Sequence, residues 1–272
     1  MRIVVIGGSG VVGTQLVDNL RRRGHDVVAA SRRTGVNTLT GDGLVETLAG
    51  AKVLVDVTNS PSFEDAKALE FFGTSTRNLL AAAEAAHVKH CIALSIVGTD
   101  RLLESGYFRA KMAQEDLVSA SPIPHTILRS TQFFEFLPRI AEPDESASAV
   151  RVSPALVQPL ASGETAAALA DIATAAPRNG MIEFAGPQLL RLDEVVRRVM
   201  QAQQDPREVI ADRSARYFGA PLGEDTLIPD EGAIIGVGGF DEWLESALDP
   251  KLHRALPRRS VQEQGNRTGP LY

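Results

Sequence analysis

A short apolar run from residue 3 to residue 6 stops at Gly7-Gly8-Ser9-Gly10-Val11-Val12-Gly13, and apolar residues at helical spacing follow as far as residue 20. A strand that halts at glycines from which a helix then starts is a β-α unit of a parallel sheet. Gly7, Gly10 and Gly13 divide the work. The first permits a tight turn, the second lets backbone approach a diphosphate, and the third lets the helix pack closely on the strand. The free N–H groups and positive dipole end of the helix then face the anion. The segment Gly7, Ser9, Gly10, Val11, Val12 and Gly13 therefore reads as the cradle of a dinucleotide.

The same alternation continues. Strands are expected at residues 26–30, more weakly at 36–39, and at 53–57, 90–94 and 125–128, with helices at 44–48, 63–86 and 108–119 between them. This rhythm predicts an α/β fold: a Rossmann-type, doubly wound parallel sheet with a smaller C-terminal substrate lobe. Residues 1–135 are expected to form the nucleotide domain, with a further core strand contributed near 180–186. Residues 136–256 form the smaller lobe and 257–272 a mobile tail. Within the lobe, helices are expected at 166–175 and 193–203, a strand at 181–184, a polar loop at 142–149 and a glycine-rich loop at 232–240.

The end of the second strand selects the dinucleotide. An acid there would hold a ribose 2′-hydroxyl. This chain instead has Ser31, Arg32 and Arg33, while Asp26 lies at the opposite end of the strand. Guanidinium groups pair with a 2′-phosphate and stack on adenine, so NADP is preferred over NAD. Asp42 is expected near the adenine, and Val57, Thr58 and Asn59 close a strand at the ligand edge. Asn59-Ser60-Pro61 is also ordinary turn chemistry.

Ser95 ends the fifth expected strand, and Tyr107 and Lys111 follow at a four-residue spacing that stacks them on one helix face. The chain has three tyrosines and five lysines, so a chance pairing in this context is improbable. An ammonium beside a phenol lowers its pKa from about 10. Tyr107 then gives a proton to a carbonyl oxygen, Ser95 holds that oxygen, and Lys111 bonds the nicotinamide ribose. The alternative is a tyrosine and a lysine that merely adjoin on a helix.

Other features narrow the field. The net charge of −6 gives no overall basic field for nucleic acid. Arg21-Arg22-Arg23 falls where the first helix ends, a position that favours cations. Cys91 is the single cysteine and sits in an apolar strand, so it reads as core. No signal segment or membrane span is apparent, and a cytoplasmic protein is expected. No carboxylate or cysteine stands at ligand spacing around His87, His90 and His125, so no metal site is expected. Phe134 and Phe136 are assigned to the core, and Phe240, Trp243 and Leu244 to the last helix.

The segments GGSGVVG, SRR after the second strand, LSIVGTD from Leu94 to Asp100, YFRAK, and ILRSTQFFEF from Ile127 to Phe136 resemble an atypical short-chain dehydrogenase/reductase of the NmrA-like group over most of residues 1–200. The resemblance implies that Ser130, Thr131, Gln132 and Phe133 lie beside the nicotinamide. It implies an NADPH-dependent oxidoreductase that passes hydride to a small carbonyl, quinone or related acceptor, as a monomer or homodimer. With a quinone, solvent or Lys111 completes the protonation. Two alternatives stand beside it. One is a redox sensor of the same group, without turnover, that regulates a protein partner. The other is an NAD(P)-dependent epimerase or isomerase. The chain departs from typical short-chain reductases in carrying Asp56-Val57-Thr58-Asn59 after the fourth expected strand, and in a slightly short Ser-to-Tyr spacing. Many NmrA-like members lack the tyrosine, so its presence here favours an enzyme.

Overall fold

The computed structural model describes residues 1–141 and 148–248. The chain opens with β1 (Arg2–Ile6), α1 (Val11–Arg22), β2 (Asp26–Ala30), α2 (Leu44–Leu48), β3 (Val53–Asp56), α3 (Asp65–Ala85), β4 (His90–Ile96), α4 (Gly106–Ala120) and β5 (His125–Ser130). It continues with β6 (Ala149–Val152), β7 (Leu156–Val157), α5 (Ser162–Thr174), β8 (Gly180–Ala185), β9 (Leu190–Arg191), α6 (Leu192–Ala202), β10 (Glu208–Ala211), β11 (Ile234–Ile235) and α7 (Phe240–Leu248). A seven-stranded sheet runs in the order β11-β8-β5-β4-β3-β1-β2. Every pairing within it is parallel. Two small sheets, β10 with β6 and β7 with β9, lie apart from it.

Because side chains alternate along a strand, β1 feeds two cores. Ile3 and Val5 join α1 and α5 through Leu16, Leu20, Leu169 and Ala173. Val4 and Ile6 point the other way, toward Leu44, Leu48, Leu79 and Ala83 of α2 and α3. Cys91 belongs to this second core, and burial pushes its thiol up to about 12. The sheet is thus covered on both faces, as a doubly wound fold requires. The chain leaves β1 to one side for β2 and to the other for β3. The crevice between those two directions is the switch point where such sheets bind ligands.

The strand expected at 36–39 is absent. Gly35, Gly41 and Gly43 all take positive φ, so the segment turns repeatedly, and β2 is left as the sheet edge. Val36 is buried as a single core contact, which is what its apolar character reported. The loop expected at 142–149 lies almost wholly outside the described residues, and its last residue opens β6. The glycine-rich 232–240 stretch contains β11, which pairs with β8. The tail from 257 is outside the described residues. Among the described residues no helix is long and apolar enough to cross a membrane.

Candidate active site

The glycine loop is built as its spacing requires. Gly7 has φ +82°, and a Cβ there would meet the Val57 backbone at 3.0 Å. The N–H groups of Gly7 and Gly8 donate to the Ala30 carbonyl at the end of β2, at 2.9 and 3.2 Å. A Cβ on Gly13 would meet the Gly7 carbonyl oxygen at 2.1 Å, so α1 presses directly on its own loop. Gly10 differs: its added Cβ would approach only the Gly7 oxygen, at 3.3 Å. Gly10 is the N-cap of α1 and offers no side-chain cap to the first-turn N–H groups. Ser9, Gly10 and Val11 are exposed around that helix end, while Val12 and Gly13 are buried beneath it. These groups fit a diphosphate: uncapped donors, an open rim and a backbone surface without side chains.

Past β2, Ser31 begins a 3-10 turn that carries Arg32 and Arg33 outward. The Ser31 N–H donates to Thr34 Oγ1 at 2.9 Å, whereas its buried Oγ has no partner. Asp42 is exposed in the glycine-punctuated turn and accepts from Thr40 Oγ1 at 2.5 Å. At the end of β3 the Thr58 N–H donates to Asp56 Oδ1 at 2.9 Å. Asn59 Oδ1 accepts from the Ser60 N–H at 2.9 Å, the expected turn bond, and also from the Tyr107 hydroxyl at 2.8 Å. That second bond joins the crevice to α4.

Tyr107 and Lys111 share the expected face of α4 but not the expected coupling. Lys111 Nζ donates to the Leu94 carbonyl at 2.8 Å and to Gln114 Oε1, and it lies 4.7 Å from the Phe72 ring centroid. Gln114 in turn donates to Asp56 Oδ2 at 2.9 Å. Burial lowers the Lys111 pKa to about 8, against the pull of Asp56 and Glu115. Burial raises Asp56, against its bonds from Thr58 and Gln114 and the Lys111 charge. Tyr107 is raised above its ordinary value, first by burial and then by Tyr217, and the Asn59 bond only partly opposes this. The expected lowering of the phenol by Lys111 is therefore not realised, because the ammonium is engaged by Leu94 and Gln114.

Ser95 is also directed elsewhere. Its hydroxyl donates to Glu115, two turns of α4 beyond Tyr107. Glu115 is locked to Arg129 of β5 by a salt bridge of 2.7 Å, with both side chains 5% exposed, and Arg129 reaches Asp100 at 3.0 Å. After β5, Ser130 Oγ meets Thr165 Oγ1 at 3.0 Å and Thr131 Oγ1 donates to the Gln158 carbonyl at 2.6 Å. Phe133 is half-buried and bridges to Leu160. The buried Gln132 amide lies beside the Tyr217 hydroxyl without a hydrogen bond of good geometry at either end.

Three contributions to this site escaped the sequence reading. Asp56 is a carboxylate inside an apolar strand, which was a visible sign of a buried network. Gln114 stands three residues after Lys111, the helical spacing that let it bridge to Asp56. The third is an aromatic cover over Tyr107. Phe63 and Phe218 have ring centroids 5.2 and 5.7 Å from that of Tyr107, and Tyr217 stands 4.8 Å from Phe218. Nothing in the local spacing of those residues announced their meeting.

Residues 7–141 match a family model described as NAD(P)H-binding. A curated relative, the photosystem II assembly factor Ycf39 of Cyanophora paradoxa, is 26% identical over 151 residues, 50% of this chain and 47% of that protein. The chain thus spans about half the length of the curated relative it matches. Among solved structures, MoeE5 in complex with UDP-glucose and NAD aligns with a TM-score of 0.69 at 18% identity, over 90% of this chain and 98% of the other. The UDP-N-acetylglucosamine 4-epimerase of Bacillus cereus gives 0.59 at 16% identity, over 78% and 88%. An NADPH-dependent quinone oxidoreductase from Escherichia coli gives 0.60 at 16% identity, over 89% and 98%. At such identities the likeness to these structures is one of fold.

Proposed function

Because this chain is an NAD(P)-binding Rossmann-fold protein related to NmrA-like and extended short-chain dehydrogenase/reductase enzymes, we propose that it is an NADPH-dependent oxidoreductase acting on a small carbonyl or quinone. The observation that carries this reading is the buried Tyr107 hydroxyl, bonded to Asn59 at the ligand edge of β3. A nicotinamide, when bound, supplies the hydride. Tyr107 supplies the proton to the acceptor oxygen. Its raised pKa keeps the phenol protonated near neutral pH, and Asn59 holds the hydroxyl in place until the acceptor takes it. Lys111 donates to the Leu94 carbonyl and to Gln114, and its third N–H is proposed to reach the ribose. Gly7, Ser9, Gly10, Val11, Val12 and Gly13 hold the diphosphate. Val57 and Thr58 border it, and Ser130, Thr131, Gln132 and Phe133 lie on the nicotinamide side.

Tyr107→Phe is expected to lower kcat by about 10²-fold or more while leaving NADPH affinity unchanged, the size of effect typical of a lost proton donor. Steady-state turnover beside a direct NADPH titration reads both quantities, and unchanged turnover would remove Tyr107 from the chemistry. Ser31, Arg32 and Arg33 are proposed to hold the 2′-phosphate, with Asp42 toward the adenosine. The wild type is expected to prefer NADPH over NADH by roughly tenfold or more, about 1.4 kcal/mol. The variant with both arginines changed to alanine is expected to lose that preference. Equal binding of the two cofactors by the wild type would reverse the assignment.

A second reading has direct support among the similar structures, several of which bind or convert sugar nucleotides. Under it the chain is an NAD(P)-dependent epimerase or oxidoreductase of such a substrate, and these neighbours favour it more than they favour a quinone. The aromatic surroundings of Tyr107 favour the first reading, since they offer stacking faces and few hydrogen-bonding groups to a sugar. Binding of UDP-glucose beside a quinone panel separates the two.

A further inference from the structure

Tyr217 to Ala220 form a two-residue turn. The Tyr217 N–H donates to the Ala220 carbonyl at 2.7 Å and the Ala220 N–H returns a bond to the Tyr217 carbonyl at 3.0 Å. The two central residues, Phe218 and Gly219, have φ of +49° and +86°, the pattern of a type I′ turn. Gly219 suits that conformation, and an Asn or Gly would suit the other position. A phenylalanine does not, because its Cβ is crowded in the left-handed region. Strained bulky residues persist where the surroundings hold them, and they concentrate at ligand clamps.

Here the holding contacts all converge on the candidate proton donor. The Phe218 ring stacks on Tyr107 with 27° between planes, and it meets Phe63 at 5.1 Å and Phe108 at 6.1 Å between centroids. Phe63 comes from the loop after β3, and the turn comes from far along the chain. The two rings meet over Tyr107, which is left 6% exposed. An acceptor that is to reach the phenol must part them.

We propose that the Phe218 ring occupies the acceptor subsite over Tyr107, and that the acceptor is a planar aromatic ring that displaces it and takes over its stack. The proposal rests on the oxidoreductase reading and narrows its acceptor to the quinone class. A flat ring recovers the aromatic contacts with Tyr107, Phe63 and Phe108 that are lost when Phe218 lifts. A ligand that is neither flat nor aromatic does not recover them. Closure by Phe218 also weakens apparent affinity, since only the opened fraction binds.

The test uses wild type, Phe218→Gly and Phe218→Trp. Each is titrated calorimetrically with 1,4-naphthoquinone and with cyclohexanone, in the presence and absence of NADP⁺, where no turnover occurs. Phe218→Gly suits the positive φ, so the fold is retained while the ring is removed. It is expected to bind naphthoquinone roughly tenfold more tightly than wild type, through a larger open fraction. Phe218→Trp is expected to bind it more weakly, and naphthoquinone is expected to bind more tightly than cyclohexanone to the opened site of Phe218→Gly, because only the flat ring takes over the stack on Tyr107. Naphthoquinone binding by Phe218→Gly that is unchanged or weaker would overturn the proposal, as would cyclohexanone binding to that variant as tightly as naphthoquinone does. Titration of NADP⁺ alone reads the underlying function separately. A chain that ignores NADP⁺ but tightens on naphthoquinone keeps the subsite and loses the oxidoreductase reading. The reverse result keeps that reading and removes the subsite.

Discussion

Gly13→Ala is expected to lose most NADPH binding and to be destabilised at or above the upper end of the about 1–3 kcal/mol usual for overpacking. The added methyl would stand 2.1 Å from the Gly7 carbonyl oxygen and 2.8 Å from the Gly8 Cα, and all of these atoms are backbone. No rotamer relieves the clash, so α1 must move off the loop whose N–H groups it presents. Gly10→Ala is the control. Its Cβ meets only the Gly7 oxygen at 3.3 Å, so folding is expected to change little while the methyl intrudes where the diphosphate approaches. Urea unfolding beside an NADPH fluorescence titration measures the two effects. The pair distinguishes a glycine required by the fold from one required by the ligand. A Gly13→Ala protein with wild-type stability would show that the loop and helix yield more easily than their contact distance allows.

Glu115→Ala is expected to cost about 3–5 kcal/mol, the range for breaking one side of a buried ion pair. Arg129 would keep its charge in a site where its side chain is 5% exposed, with the half-exposed Asp100 and the more distant charge of Glu183 on β8 to balance it. Its pKa is ordinarily held up by Glu115 and Asp100 against the opposing effect of burial. Ser95 would lose its acceptor in the same step. Replacing both partners with apolar residues, Glu115→Leu with Arg129→Met, is expected to recover much of the loss, since no buried charge is then left alone. The urea midpoints of the single and double variants check this. A single variant within about 1 kcal/mol of wild type would mean that water reaches Arg129.

Much of the scaffold was legible because the apolar runs are short, bounded and regularly spaced. The helix expected at 108–119 is α4 at Gly106–Ala120, and the glycine loop stands where its flanking elements required. The segment at 36–39 misled because Val36 and Thr38, buried two residues apart, look the same in a strand and in a turn, and the neighbouring glycines decided the matter. Side-chain direction was less accessible. Ser95 stands at a strand end, as a substrate contact would, yet strand alternation turns it toward Glu115. The i,i+4 spacing placed Tyr107 and Lys111 on one face but carried no information about Gln114 and Asp56, which divert the ammonium. Phe218 depends on a pairing between distant parts of the chain, and no local pattern encodes such a meeting.

The position of β8 has a consequence for how this protein is made. β5 ends at Ser130, and its neighbour in the sheet begins only at Gly180, after the two short strands and helix α5 that intervene. A nascent chain that has already produced the whole glycine cradle still presents β5 as an unpaired margin, although all six of its residues are buried in the finished sheet. At about 5–20 residues per second it stays so for seconds. The nucleotide-binding half therefore cannot close on the ribosome by itself, and its completion is timed by the later half of the chain. A fragment ending near residue 135 would keep that margin permanently open to pairing with another copy.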